Sequence, residues 1–158
     1  MRLFKATLDD IPRILGCARE FCAIIPDMPL NEEHYVNQWT GFVRDDIGVI
    51  YLLEDVGEIV GGIGGIKHPE LLTGRMTAVE LFWYVRPEFR HGTWPIRLLH
   101  EFEVWAALHE CHEIDMIHME CSMAERLEGF YQKKGYTLYE TVYRKIIGMN
   151  QTPNQEAA

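Results

Sequence analysis

The 158-residue sequence has no apolar run near the roughly 20 residues that span a bilayer, so we expect no membrane partner. Its first ten residues, MRLFKATLDD, lack the apolar core of a secretory signal, which favours a cytoplasmic location. Basic residues are few, because 15 Lys and Arg stand against 24 Asp and Glu, and the formal net charge is −9. A chain without a basic excess cannot release phosphate counterions, so we expect no nucleic-acid partner. An acidic chain does suit a cationic substrate such as an amine.

Cysteine is also uncommon, and the four cysteines are expected to be free thiols in a reducing compartment. A hydrophobic content of 47% and a charged content of 25% are typical of one globular domain of this length. We expect that domain to cover residues 1–147. The polar residues 148–158 are expected to be disordered.

The spacing of apolar residues predicts the elements and their order. Steps of three and four residues from Ile11 to Ile25 indicate a first helix, with Asp9 or Asp10 as its N-cap. Further helices are predicted after Asn31, at Ile96–His109 and at Ala124–Lys134. Strands are predicted at Arg2–Thr7, Val49–Leu53, Ile59–Ile66, Thr77–Val85, Ile114–Cys121 and Tyr136–Ile147. The order β-α-α-β-β-β-α-β-α-β predicts an α/β fold, a mixed sheet with helices on both faces.

The strand predicted at Thr77–Val85 is apolar on both faces, which indicates a central position in the sheet. Simple alternation divides its side chains into two sets, with Val79, Leu81, Trp83 and Val85 on one face and Glu80, Phe82 and Tyr84 on the other. Glu80 is then an acid on an aromatic face, where desolvation would raise its pKa.

Two short segments resemble motifs of the GNAT acetyltransferases. Val85-Arg86-Pro87-Glu88-Phe89-Arg90 is similar to the family's strand end and turn, V-x-P-x-[YF]-[RQ]. Phe130-Tyr131-Gln132-Lys133-Lys134-Gly135-Tyr136 is similar to its F-Y-x-x-x-G-[FY] segment. The predicted element order also matches that of the family down to Ile147. The resemblance implies an acetyl-CoA-dependent N-acetyltransferase that acts on a small-molecule or peptide amine, and a homodimer as a common assembly.

The resemblance also implies where the CoA pyrophosphate is held, in the turn between the strand and the following helix. The residues at that position are Arg90, His91, Gly92, Thr93 and Trp94. A helix N-terminus binds phosphate through free backbone N–H groups, and glycine allows close approach. The turn departs from the family pattern because Thr93 and Pro95 occupy the small-residue positions and Gly92 comes one place early. Thr93 can supply a hydroxyl in place of the donor that Pro95 lacks, and Arg86, Arg90, His91 and Arg97 make the region basic.

Roles for the reacting groups follow from the same resemblance. The backbone of Trp83, Tyr84 and Val85 would pair with the pantetheine arm of CoA, and one N–H would polarise the thioester carbonyl. Glu80 corresponds to a base that acts directly or through water, and Tyr131 to the acid that protonates the sulfur. The competing interpretations are a surface or salt-bridged Glu80 and a Tyr131 that serves only as a core aromatic. An Asn that the family often carries before this Tyr is absent, and Ser122 is the polar residue nearest its place.

Other patterns leave alternatives open. The residues His109, Cys111, His112, His118 and Cys121 do not have the spacing of a zinc site, and we expect no metal. The glycines from Gly57 to Gly65 lack a nucleotide-binding ending and fit a close-packed strand or the edge of a substrate channel.

The second predicted helix, with Tyr35, Trp39 and Phe42, is mostly core, although the resemblance makes it one wall of the acceptor site, where Glu32, Glu33 and His34 could select an amine. A protein that has kept the fold and lost catalysis is the main rival to an enzyme. A transferase for a longer acyl chain is a third interpretation.

Overall fold

Five β-strands form one mixed sheet at the centre of residues 1–124 in the computed structural model, which describes residues 1–25, 28–119 and 124–145. The strands are β1 Arg2–Lys5, β2 Gly48–Asp55, β3 Glu58–Pro69, β4 Met76–Val85 and β5 Glu113–Asp115. Their order in the sheet is their order in the chain. The first three pairings are antiparallel, and β4 and β5 are parallel. This arrangement confirms the predicted mixed α/β sheet.

Four α-helices accompany the strands: α1 Leu15–Ile24, α2 Glu32–Arg44, α3 Trp94–Leu108 and α4 Ala124–Lys133. A 3₁₀ segment, Leu8–Ile14, precedes α1, and its N-cap is Thr7 rather than the predicted Asp9 or Asp10. Asp10 instead accepts the backbone N–H of Thr7 at 3.0 Å, so it supports the cap from inside the turn. No helix in the described ranges is long and apolar enough to cross a membrane.

Glycines in β3 show which helix covers which face of the sheet. A Cβ atom on Gly64 would lie 2.5 Å from Phe82 and 2.8 Å from Trp39 of α2. A Cβ atom on the next residue, Gly65, would lie 2.6 Å from Phe102 of α3. Because neighbouring residues of a strand point to opposite faces, α2 and α3 cover opposite faces of the sheet. Helices therefore cover both faces of the sheet, as predicted. The two glycines allow aromatic side chains to pack closely against the strand.

A β-bulge in β4 changes the predicted assignment of faces. Gly64 pairs with Phe82 while Gly65 pairs with Glu80, so Leu81 is an extra residue in β4. Paired residues share a face, and Glu80 therefore lies on the α3 face while Phe82 and Tyr84 lie on the α2 face. The prediction that these three side chains share one face was wrong because strict alternation does not hold across a bulge.

Two predicted strands differ from the structure. The described part of the strand predicted at Ile114–Cys121 forms a strand only as Glu113–Asp115, and residues 116–119 are not in the ladder. The described part of the predicted last strand, 136–145, forms no strand, and residues 146–158 lie outside the described ranges, as does Ser122. An alternating apolar pattern makes a strand only where a neighbouring strand supplies hydrogen bonds.

The chain separates into two compact units, residues 1–124 and 125–158. The second unit contains α4 from Glu125 onward and the segment that follows it. Gly135 ends this helix with φ +91°, which confirms the predicted left-handed C-cap. Tyr131 contacts the rings of Phe130 and Tyr136, with centroids 5.8 and 5.6 Å away.

The packing at Gly65 predicts a large loss of stability for Gly65→Ala. The added methyl group would overlap the carbonyl oxygen of Val79 and the ring of Phe102, and we expect a loss of at least about 2 kcal/mol in the free energy of unfolding. The matched control is Gly41→Ala in α2, where nothing lies within 4 Å of the new Cβ and the higher helix propensity of Ala should be neutral or stabilising. Denaturant unfolding measures both, and equal effects would contradict the packing argument.

Candidate functional site

The ladder between β4 and β5 ends early, and the candidate site lies where it ends. Among the described residues, Thr77–Val79 of β4 pair with Glu113–Asp115 of β5, and β4 continues to Val85. Beyond this point the N–H of Ile117 donates to the side chain of Glu80, at 3.1 Å, instead of to the backbone of β4. Within the described residues, the pairing of the two strands therefore ends at Val79.

Glu80 is buried at this point, with 4% of its surface exposed. Burial raises the pKa of its carboxyl to about 8, and the hydrogen bond from Ile117 opposes this rise. The structure thus excludes a surface position for Glu80, and the predicted direction of the pKa change is confirmed. A carboxyl with this pKa can both hold and release a proton near neutral pH.

The turn after β4 has the backbone geometry that an anion requires. A 3₁₀ turn, Pro87–Phe89, leads to Gly92, whose φ of +76° is in the left-handed region and around whose Cβ position no atom lies within 4 Å. Helix α3 then starts at Trp94, two residues before the predicted start, with Thr93 as N-cap and Pro95 in its first turn. The Thr93 side chain makes no capping hydrogen bond, so its hydroxyl is available to a ligand.

The cations around this turn have different roles. Arg86 binds Glu20 and Glu58, with N–O distances of 2.9 and 2.8 Å, so its charge is compensated and it does not add to a phosphate site as the sequence suggested. Arg90 lies closer to the turn, and its Nε donates to the carbonyl oxygen of Val85 at 2.6 Å. Arg97 packs over the ring of Trp94 at 4.3 Å from the centroid. Arg90, His91 and Arg97 are thus the basic residues that fit an anion here.

An apolar cavity of about 530 Å³ lies against β4 on the α2 face, and we call it the α1–α2 cavity. Its walls come from α1, the segment 28–31, α2, part of β4 and Met119. The wall from β4 consists of Leu81, Phe82 and Tyr84, so the cavity adjoins the part of the strand beyond Val79. The sequence indicated the α2 wall through Tyr35, Trp39 and Phe42. It did not indicate that Leu81 also lines the cavity, because the direction of this side chain depends on the bulge.

The polar side chains of Tyr84, Cys17 and Cys22 at the cavity wall are hydrogen-bonded to a neighbouring residue or remain uncharged. The hydroxyl of Tyr84 donates to Glu20 at 3.1 Å, and burial, followed by this contact, raises its pKa to about 12. Burial raises the pKa of the Cys17 thiol to about 11, and it raises the pKa of Cys22 in the same direction. The walls are therefore predominantly neutral at physiological pH.

Of the histidines and cysteines weighed as a zinc site, Cys121 lies outside the described residues, and within the described residues no group of three His, Cys, Asp or Glu side chains could hold a metal ion. The ring of His109 packs on Trp105 with centroids 4.9 Å apart, and its Nδ1 is 2.8 Å from the Trp105 carbonyl oxygen. These contacts give His109 a packing role on α3.

Comparisons with known proteins agree with this geometry. The family model described as Acetyltransferase (GNAT) family matches residues 12–136, so the chain belongs to this family. Membership makes acetyl transfer the general activity and acetyl-CoA the co-substrate. Among curated proteins, no sequence gives a significant match.

Solved structures with the same fold have low sequence identity to this chain. A predicted acetyltransferase from Clostridium acetobutylicum, solved with acetyl-CoA, is 14% identical with a TM-score of 0.74, and the match covers 92% of this chain and 95% of that chain. An aminoglycoside 6'-N-acetyltransferase from Acinetobacter haemolyticus is 14% identical with a TM-score of 0.70, covering 95% and 100%. Glucosamine-6-phosphate N-acetyltransferase from Arabidopsis thaliana is 13% identical with a TM-score of 0.69, covering 93% and 98%. These likenesses confirm the fold.

The raised pKa of Glu80 predicts a specific pH dependence of stability. An unfolded carboxyl releases its proton near pH 4.5, whereas the folded one retains it to about pH 8. Between these values the unfolded state binds fewer protons, so the contribution of Glu80 to stability falls as pH rises and is largest below pH 4.5. We expect the free energy of unfolding of the wild type, minus that of Glu80→Gln, to fall across this window in denaturant titrations. Parallel profiles for the two proteins would show that the folded pKa is ordinary.

Proposed function

We propose that this protein transfers the acetyl group of acetyl-CoA to a primary amine by direct attack in a ternary complex. The amine nitrogen would bond to the thioester carbonyl carbon, the C–S bond would break, and the departing thiolate would take up a proton. The observation that carries the proposal is the end of the β4–β5 ladder at Val79, beside a turn with a left-handed Gly92 and the N-terminus of α3. Amine acceptors named for structural neighbours, an aminoglycoside and glucosamine-6-phosphate, also support it.

The pyrophosphate is assigned to the turn from Arg90 to Trp94. The left-handed backbone at Gly92 and the open space beside it allow a phosphate to approach the main chain. Pro95 removes one donor from the first turn of α3, and the uncommitted hydroxyl of Thr93 compensates for it. The guanidinium of Arg97 and the imidazole of His91 add basic side chains to this turn.

The pantetheine arm is assigned to the backbone of β4 at Trp83, Tyr84 and Val85. This assignment is supported by the position of these residues at the C-terminal end of β4, beyond the pairing with β5 seen in the described residues. The Val85 carbonyl already accepts from Arg90, so Val85 would contribute its N–H. A strand N–H aimed at the thioester oxygen would stabilise the negative charge that develops there.

Glu80 is proposed as the base and Tyr131 as the acid. Because Glu80 lies on the α3 face, a proton from an amine in the α1–α2 cavity would reach it through water beyond the described pairing of β4 and β5. Its pKa of about 8 suits a group that accepts this proton near neutral pH. Tyr131 is carried by α4 in the second unit, and its hydroxyl would protonate the sulfur of CoA.

The 1–147 domain boundary, the cytoplasmic location and the homodimer stay predictions.

Thr93→Val tests the pyrophosphate assignment. The substitution keeps the side-chain shape but removes the hydroxyl, and we expect calorimetry to show CoA binding weakened about tenfold to a hundredfold, the value of one hydrogen bond to a charged group. Acetyl-pantetheine, which lacks the pyrophosphate, is the matched control ligand and should bind both proteins equally. The melting temperature should change little because this hydroxyl does not cap α3. No heat from CoA up to about 1 mM with the wild type would reject the enzyme in favour of a binding protein that has lost catalysis.

Tyr131→Phe tests the proposed acid. Turnover should fall about a hundredfold or more while CoA affinity is kept, because only the proton donor is lost. The control is Tyr143→Phe, since Tyr143 lies in the same unit and is 93% exposed. An unchanged kcat in Tyr131→Phe would reject Tyr131 as the acid.

A further inference from the structure

The α1–α2 cavity is walled largely by aromatic rings. Trp39 makes edge-to-face contacts with Phe42 and Phe82, whose ring centroids lie 5.7 and 5.4 Å away. Phe21 and Tyr84 make a further ring contact, with centroids 5.9 Å apart. A volume of about 530 Å³ with such walls is in the range of small-molecule sites, which are mostly apolar with a few polar groups.

Charged side chains are missing from this lining. Within the described ranges, none of the residues that line the cavity is Asp, Glu, Lys or Arg, and its polar members are chiefly Asn31, His34 and Gln38. The side-chain oxygen of Asn31 already accepts the N–H of His34 at 3.0 Å as the N-cap of α2. A ligand with several ammonium groups would therefore lose water without gaining carboxylate partners from the described lining, which disfavours its binding.

Two acids beside the cavity, Glu20 and Glu32, are compensated by arginines. Glu20 accepts the hydroxyl of Tyr84 and also pairs with Arg86. Glu32 pairs with Arg19 through two contacts of 2.6 and 2.8 Å. The suggestion from sequence that Glu32 selects an amine is therefore not supported by its contacts, because its charge is already engaged outside the cavity.

These observations deepen the proposed acetyl transfer, on which the inference rests. We infer that the acceptor is a monoamine carried on an apolar, ring-sized body, rather than a polycation such as a polyamine or an aminoglycoside. The body fills the α1–α2 cavity, where removing its apolar surface from water favours binding. The amine end lies at Leu81–Tyr84, where the cavity meets the part of β4 beyond the β5 ladder.

The test compares 2-phenylethylamine with spermidine by calorimetry, with and without CoA, and by kcat/KM with acetyl-CoA. We expect 2-phenylethylamine to bind at least about tenfold more tightly and to be acetylated more efficiently. Equal or tighter binding of spermidine, or no binding of either amine, would overturn the inference. Octanoyl-CoA that binds more tightly than acetyl-CoA and excludes 2-phenylethylamine would also overturn it, since the cavity would then hold the acyl chain. Binding of 2-phenylethylamine without any acetyl transfer would reject the proposed function but keep the ligand preference of the cavity.

A charge placed in the cavity should weaken this preference. Gln38→Glu adds a carboxylate to the lining, and the ratio of kcat/KM for spermidine to that for 2-phenylethylamine should rise about tenfold. Asn37→Glu is the matched control because Asn37 is the exposed neighbour on α2 that does not line the cavity. Binding constants from calorimetry should shift in the same sense, and melting temperatures report whether both variants fold. The same shift in both variants would show that net charge, and not the cavity lining, sets the preference.

Discussion

Contact between the backbone of β3 and aromatic rings on both sides of the sheet determines the arrangement of residues 1–124. At Gly64 the rings of Phe82 and Trp39 occupy the space that a side chain would take, and at Gly65 the ring of Phe102 does so. Helices α2 and α3 can therefore approach the sheet more closely than ordinary side chains permit. The strand has no side-chain atoms at these two positions, and aromatic rings from β4, α2 and α3 fill the space instead.

The bulge at Leu81 divides the candidate site between two faces. Glu80 is held on the α3 face by burial and by the N–H of Ile117, while Phe82 and Tyr84 complete the cavity on the α2 face. The carboxyl group of Glu80 also accepts the backbone N–H of Ile117, just beyond the last described pair of β4 and β5. One irregular residue thus connects the shape of the cavity, the position of the acid and the end of the described pairing.

Much of the fold could be predicted from the sequence because its signals are local. Apolar spacing in α1, the Asn31 cap of α2 and the Gly135 C-cap each depend on a few neighbouring residues. The bulge, the short β5 and the compensation of Arg86 by Glu20 and Glu58 depend on residues distant in sequence. Alternation could not assign Glu80 to its face, since the extra residue is visible only in the pairing with Gly64 and Gly65. Charge counting likewise overestimated the basicity of the turn.

The thiols in the wall of the α1–α2 cavity have a chemical consequence for a protein that uses a thioester. A thiolate beside acetyl-CoA would capture the acetyl group itself, and the protein would become S-acetylated on its own cysteine. Burial keeps Cys17 almost wholly protonated at neutral pH, with a pKa of about 11, and its Sγ is directed to the carbonyl oxygen of Ile59 at 3.4 Å. Burial also raises the pKa of the Cys22 thiol. With the thioester and acceptor placed as proposed, the apolar wall would protect the donor from transthioesterification as well as shape the space for the acceptor.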